Sequence, residues 1–342
     1  MHLLITGHTG FKGSWLAMLA KEHGHSISGL SLEPSPGGAF DTAELESIFE
    51  KHVICDVRDK AGVAAAFDEI QPDAIIHMAA QPLVIEGYRD PAGTFEINVT
   101  GTLNVLEAAR KCETLKTLLV VTTDKVYKDT GSGNYSESDP LGGHDPYSAS
   151  KAMADLLSQS YANLGLHFSI GIARAGNVIG SGDVSANRLI PDILKAHDTS
   201  RELTIRFPEA VRPWQHVLDC VNGYLMLLEH MLSGRKNENG PIILNFGPPS
   251  SGYKAVGAVV AHAKQILGDL KVTETPSAIK ETSFLTLNSN SARTILGWED
   301  ILDFHTAVAW SIADAVGPLS YESMQRQVRT FRDKLSSRSS ND

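Results

Sequence analysis

Short apolar runs alternate with amphipathic stretches through the first half of the chain. Residues 3–6 read as a strand, and 13–23 as a helix with Trp15, Leu16 and Leu19 on one face. Gly24 is a natural stop for that helix. The alternation continues with strands over 26–30, 74–78, 117–122 and 167–173. Helices are predicted over 60–70, 91–111 and 146–164. Strands alternating with helices imply right-handed crossovers and a parallel sheet covered on both faces.

After Ala175 the pattern breaks down. Gly, Pro and short runs dominate 176–213, followed by a helix over 217–232 and a strand over 242–246. The fold class expected is α/β: a Rossmann-type doubly wound parallel sheet with a smaller, interleaved C-terminal substrate lobe. Its Rossmann domain spans 1–176, with 213–247 returning to it. The lobe takes 177–212 and 248–335, and the polar residues 336–342 are expected to be a disordered tail.

Composition adds mainly exclusions. The 342 residues are 42% hydrophobic and 20% charged, with a formal net charge of −10. That acidic balance argues against nucleic acid or anionic membranes as partners. An anionic substrate would need a local cluster of Arg and Lys. Cys55, Cys112 and Cys220 are far apart and form no C-x-x-C pair, so neither a disulfide framework nor a metal site is expected. Residues 2–5 are too short for a secretory apolar region, and no stretch approaches a membrane span of roughly 18 apolar residues. A cytoplasmic protein is expected.

The first candidate chemistry lies in Gly7, Gly10 and Gly13, which follow a strand and open a helix. Gly7 permits the tight turn, Gly10 lets backbone approach a pyrophosphate, and Gly13 allows close helix packing. The helix N-terminus offers free N–H donors to phosphates. The second lies in Tyr147 and Lys151, four apart on one face of a predicted helix. A cation beside a phenol lowers its pKa, so that the Tyr can take a hydroxyl proton as hydride leaves the same carbon. Asp124-Lys125 read by themselves as a solvated charged turn.

The spacing G-x-x-G-x-x-G resembles the extended short-chain dehydrogenase/reductases. Asp56 and Val57 resemble that family's adenine-contacting turn, and His77 to Ala80 its strand end beside the cofactor. Asn98 stands at the family's central helix Asn, and Thr123 where a Ser or Thr bonds the substrate oxygen. The resemblance implies a cofactor site of Gly7, Thr9, Gly10, Phe11, Gly13, Ser31, Asp56, Val57, Ala79, Ala80, Gln81, Asn98, Thr122, Tyr147 and Lys151. Ser31 replaces the Asp often found in members that prefer NAD, with Glu33 two residues on. No Lys or Arg follows before Lys51 to receive a 2′-phosphate, so NAD is expected.

Longer stretches narrow the resemblance to the CDP-glucose 4,6-dehydratases. They are 6–13 (TGHTGFKG), 77–84 (HMAAQPLV), 123–125 (TDK), 145–151 (DPYSASK), 174–180 (RAGNVIG), 212–218 (RPWQHVL), 245–248 (NFGP) and 296–298 (LGW). The thymidine-linked relatives carry Asp-Glu where this chain has Asp124-Lys125. The resemblance implies oxidation of the sugar at carbon 4 by Tyr147 and NAD. Loss of water across carbons 5 and 6 then uses Lys125 as base and Asp124 as acid, and hydride returns to carbon 6. Asn177, Arg188, Arg206 and Arg212 are the candidates for nucleotide and phosphate contacts, while Trp214 and His216 are expected to pack the lobe interface. The chain departs from the family at Val126-Tyr127, where Cys-Tyr is expected, and at Lys280-Glu281, where His-Glu is expected near the nucleotide. Helices 91–111 and 146–164 carry apolar residues beyond one core face, and relatives pair such helices into a homodimeric four-helix bundle. A nucleotide-sugar 4-epimerase or reductase would share Tyr147 and Lys151 without needing Lys125. A non-catalytic NAD(P)-sensing protein is a third reading.

Overall fold

The computed structural model describes residues 1–131, 133–234, 240–274, 286–315 and 317–339. Seven parallel strands form its central sheet: β1 (His2–Thr6), β2 (Ser26–Ser31), β3 (Lys51–Ile54), β4 (Ala74–His77), β5 (Thr117–Thr123), β6 (Ser169–Ala175) and β7 (Ile242–Phe246). Their order is β3-β2-β1-β4-β5-β6-β7. The order reverses between β1 and β4, and ligands of open α/β sheets bind at the carboxyl ends of strands beside such a switch point. Strand β3 was not foreseen. It is four residues long, half-exposed and carries Lys51 and His52, so it lacks the apolar run of a buried parallel strand.

The helices that matter here are α1 (Phe11–Glu22), α2 (Lys60–Ile70), α3 (Gly101–Ala109), α4 (Pro146–Ala162), α5 (Leu189–Asp198), α6 (Val217–Leu232), α7 (Val256–Leu267), α8 (Phe304–Ser311) and α9 (Tyr321–Ser339). One face of the sheet is covered by a core that joins Trp15, Leu16 and Leu19 of α1 to Val221, Leu225 and Leu228 of α6. The other face is covered by Val63 and Phe67 of α2 and Val105 and Leu106 of α3. None of the described helices is long and apolar enough to cross a membrane.

The single helix expected over 91–111 is interrupted. Asp90 caps its start by accepting from the Gly93 N–H at 2.9 Å, and Pro91 occupies the first turn. Glu96–Thr100 then forms a π-helical turn before α3 begins. A π-turn inserts one extra residue and re-aims its side chains, often at functional sites. Here the turn buries Asn98.

The smaller lobe has its own apolar centre, with Ile190 and Ile193 of α5, Val259 and Ala263 of α7, and Ala307 and Val308 of α8 packed around Trp214. The expected boundary at 335 places α9 in this lobe, whereas α9 lies on the Rossmann unit. Met324, Val328 and Phe331 form a helical stripe in the same core as Trp15. Glu22 of α1 accepts from Gln325 at 2.7 Å and pairs with Arg329 at 3.4 Å. Residues 336–339, expected to be disordered, continue α9. Ser336 and Ser337 bond back to the Arg332 and Lys334 carbonyls, and Arg338 donates to the Asp300 carbonyl at 3.2 Å. Polarity there reflects an exposed helical face rather than a lack of structure. Residues 340–342, and the Lys280-Glu281 pair, lie outside the described residues.

Candidate active site

The loop after β1 is built for close approach. Gly7 has φ +78°, and a Cβ on it would lie 2.8 Å from the Ala79 nitrogen. A Cβ on Gly13 would lie 2.2 Å from the Gly7 carbonyl oxygen, so this glycine lets α1 pack on its own loop rather than on a strand. Gly10 caps α1 without a side-chain bond, and the first turn carries no acidic residue. The first N–H groups are therefore left for an anion, backed by the positive end of the helix dipole. Thr9 closes the loop onto β2, its hydroxyl 2.8 Å from Ser31 Oγ and donating to the Leu32 carbonyl.

Beyond β2 the surroundings suit a ribose without a 2′-phosphate. Ser31 is bonded to Thr9 and Glu33 is exposed. Lys51 is engaged by Glu69 at 2.7 Å, and the Arg58 fork closes on Asp56 at 2.7–3.1 Å. Asn104 holds the 56–58 turn by donating to the Val57 and Arg58 carbonyls. On the β4 side, Thr6 Oγ1 accepts from the Met78 and Ala79 N–H groups, while Ala80 and Gln81 are half-buried. Asn98 joins this strand end to the catalytic helix. Its oxygen accepts from Gln81 N at 2.8 Å, and its amide donates to Ser150 Oγ at 2.9 Å.

At the end of β5 the structure brings Thr123, Asp124, Lys125, Tyr147 and Lys151 together. Thr123 caps a short 3-10 turn over Asp124–Val126 and donates to Asp124 Oδ1 at 2.8 Å. Asp124 is buried, and Lys125 Nζ lies 3.6 Å from its carboxylate with 29% of the lysine side chain exposed. Asp145 and Pro146 start α4, where Asp145 accepts from the Ser148 N–H at 3.0 Å. Burial pushes the Tyr147 phenol up to about 12, against the pull of the Thr123 hydroxyl and the Arg188 charge. Burial also lowers Lys151 to about 8, helped by the charge of Lys12. The Lys151 ammonium donates to the Val121 carbonyl at 2.8 Å. The expectation that Lys151 lowers the Tyr147 pKa is not met: burial raises it, and the cation that pulls the other way is Arg188.

Further groups around the cluster were given no role from the sequence. Lys12 reaches from the glycine loop to the Tyr224 hydroxyl at 3.4 Å, and Cys220 donates to the same hydroxyl at 3.2 Å. Beneath the reactive cluster, Asp155 and Arg174 form a buried ion pair through two 2.8 Å bonds. Asp155 also accepts from Thr122 at 3.0 Å, so the Thr122 hydroxyl is engaged with α4. Arg174 donates to Tyr127 Oη at 3.0 Å, and Tyr127 donates to Asn245 at 2.6 Å while stacking on Tyr135. This network ties β5, α4, β6 and β7 together around the Asp124–Lys125 turn. Asp155 had a signal available, since it lies four residues after Lys151 on the same helical face.

A model of the NAD dependent epimerase/dehydratase family matches residues 3–247. The chain belongs to that family. It is 35% identical to CDP-glucose 4,6-dehydratase of Salmonella typhimurium over 329 residues, covering 92% of this chain and 88% of that protein. It is 27% identical to UDP-glucose 4-epimerase of Corynebacterium glutamicum, covering 95% and 100%. UDP-glucose 4-epimerase from Bifidobacterium longum, solved with NAD+ and UDP, superposes with a TM-score of 0.81 at 21% identity, covering 93% of this chain and 99% of that one. NAD is the cofactor of this epimerase/dehydratase family, and the glycine loop and the Ser31 side fit it.

Relative to this epimerase/dehydratase frame, the four expected nucleotide contacts differ in setting. Arg188 precedes α5, pairs with Asp183 at 3.0 Å and acts electrostatically on Tyr147. Asn177 is exposed in the loop after β6. Arg212 sits on the strand Val211–Pro213, half-buried, with Nη1 donating to the Val211 carbonyl. Arg206 is exposed and acts electrostatically on Asp192, so it looks toward α5. Trp214 and His216 are structural: Trp214 donates to the Lys254 carbonyl in the lobe core, and His216 caps α6 between Trp15 and Trp310.

Proposed function

We propose that the chain is a nucleotide-sugar 4,6-dehydratase, a carbon–oxygen lyase acting on CDP-glucose. The observation that carries this reading is the Asp124–Lys125 turn, hydrogen-bonded to Thr123, which also bonds Tyr147. Bound NAD supplies the acceptor, and at the end the donor, of one hydride. Thr123 orients the carbon 4 hydroxyl, and Tyr147 takes its proton. The carbon 4 ketone makes the carbon 5 proton acidic. Lys125, the more open of the pair, removes that proton, and Asp124 protonates the departing carbon 6 hydroxyl. The hydride returns to carbon 6 and Lys125 gives a proton back to carbon 5, so the products are CDP-4-keto-6-deoxyglucose and water.

The lobe around α5, α7 and α8 is the substrate-binding part. Within it Arg188 and Arg212 would meet the diphosphate oxygens and Asn177 would add a contact; Arg forks suit phosphate. Arg206, turned toward α5, is the weakest of the four. The protein acts in the cytoplasm, consistent with the free thiols Cys55, Cys112 and Cys220. It works as a homodimer through α4.

A 4-epimerase is favoured by the UDP-glucose 4-epimerases among the relatives. Such an enzyme would use Thr123, Tyr147 and Lys151 but leave the Asp124–Lys125 turn without a task. Incubation with CDP-, dTDP-, UDP- and GDP-glucose separates the two. The dehydratase yields a 4-keto-6-deoxy sugar from CDP-glucose. Interconversion of carbon 4 epimers without loss of water would replace this reading.

A further inference from the structure

We propose that His23, His25 and Glu229 form a binding site for a borderline transition-metal dication, with Zn2+ as the fitting ion. The site lies at the C-terminal end of α1. Its 12 residues put that end roughly 18 Å from the glycine loop, so the site is separate from the dinucleotide and sugar pockets.

The sequence His23-Gly24-His25 builds the site. His23 is the C-cap of α1, and Gly24 at φ +80° reverses the chain so that β2 can begin at Ser26. That left-handed residue turns two imidazoles, two positions apart, toward one carboxylate on α6. His23 Nδ1 is 3.7 Å and His25 Nε2 3.4 Å from Glu229 Oε1. The three ligand atoms all lie within 4.8 Å of one another. Tetrahedral zinc with bonds of about 2.0–2.1 Å holds its ligands roughly 3.4 Å apart, so small side-chain rotations close the set. Among the described residues, no other group of His, Cys, Asp and Glu converges this closely.

A second observation points to a ligand. His25 Nε2 is shielded from solvent and meets only the Glu229 carboxylate, in a 3.4 Å ion-pair contact without good hydrogen-bond geometry. A shielded nitrogen with so long a contact is poorly satisfied, and a metal bond would satisfy it better. The donor set also selects the ion. Two imidazoles and one carboxylate suit Zn2+ and leave its fourth position to water, whereas Mg2+ and Ca2+ prefer all-oxygen shells. The Glu229 side chain is 43% exposed, which leaves an entry path. Zn2+ bound here would clamp the α1–β2 turn to α6, two elements that form one face of the core behind the glycine loop.

The test uses full-length protein stripped with a chelator and dialysed. Zn2+ is titrated calorimetrically and in competition with a chromogenic chelator, alongside His23→Gln/His25→Gln and, separately, Glu229→Gln. Wild type should take up one more equivalent of Zn2+ than the double variant. Its melting temperature should rise with Zn2+ but not with Mg2+. Glu229→Gln should weaken uptake while keeping the fold, so a poorly folded double variant still leaves a decisive comparison. If wild type and Glu229→Gln bound Zn2+ with equal affinity and stoichiometry, or wild type bound none, the trio would be an ion-pair cluster and the proposal would fall.

Discussion

Lys125 separates the dehydratase from its rivals, because oxidation at carbon 4 needs only Thr123, Tyr147, Lys151 and NAD. Lys125→Met keeps most of the side chain's length and removes the amine. Turnover of CDP-glucose should fall by ~10²–10⁴-fold, the usual weight of a general base. Reduced-nicotinamide absorbance should build up on the enzyme, since hydride is taken and not returned. Tyr147→Phe should abolish both signals, and near-normal dehydration by Lys125→Met would exclude Lys125 as the base. Lys151 carries a prediction of its own. Its folded-state value of about 8 lies below its ordinary 10.5. Between these values the unfolded chain holds the proton and the folded chain does not, so raising the pH through this window stabilises the fold. The gain is on the order of 3 kcal/mol. Wild type should therefore become more stable relative to Lys151→Met from pH 7.5 to 10 in urea unfolding, and a constant difference would overturn the assignment. Tyr147 and Lys151 were picked out by a local spacing on one helix, and Thr123 only by the family resemblance. The reversed direction of the Tyr147 shift was not, because burial depends on what the rest of the chain places over α4.

At the scale of elements, most strands and helices were legible from periodicity alone. The helices over 60–70 and 217–232 and the strand over 242–246 have the bounds read from the sequence. What escaped was set by long-range packing. The π-turn at Glu96–Thr100 leaves no mark in the 3.6-residue pattern, yet it places Asn98 between Gln81 and Ser150. The Asp155–Arg174 pair spans α4 and β6, and no local pattern reveals it. That pair supports the turn bearing Asp124 and Lys125, and removing one partner leaves the other charge buried and unpaired. Arg174→Met should cost about 3–5 kcal/mol, read as a lowered urea midpoint with an unchanged slope. Asp155→Leu/Arg174→Met should recover much of that loss, because the buried charge is gone as well. A double variant that lost the sum of the two single effects would show that the pair itself is not the source.

At the scale of the whole molecule, the parallel sheet and its switch point were legible, and they fix where a dinucleotide lies. The lobe boundary was less legible, because α9 returns from the end of the described chain to cover α1 through Met324, Val328 and Phe331. Oligomeric state belongs to this scale too. The sequence assigned the dimer contact to residues 91–111 and 146–164. Near these helices, large apolar side chains are exposed on α4, with Met153 47% and Leu156 54% exposed, and on the adjoining helix Val84–Arg89, where Tyr88 is 67% exposed. Helix α3 contributes only half-buried groups such as Leu103. Met153 and Leu156 are three apart, so they project from one face of α4. A two-fold axis across α4 would bury the same patch on both copies, and self-complementary contacts of this kind are the commonest in homo-oligomers. A stable contact needs about 800 Å² from each partner, so the neighbouring Tyr88 and Ile85 must join it. Met153→Glu/Leu156→Glu would set like charges against each other across that axis. Wild type should sediment as a dimer at micromolar concentration, and the double variant as a folded monomer. Because neither residue lies in the reactive cluster, the variant's circular dichroism should match wild type, which separates lost association from lost folding. A monomeric wild type would remove the dimer, and a variant that stayed dimeric would move the interface off α4.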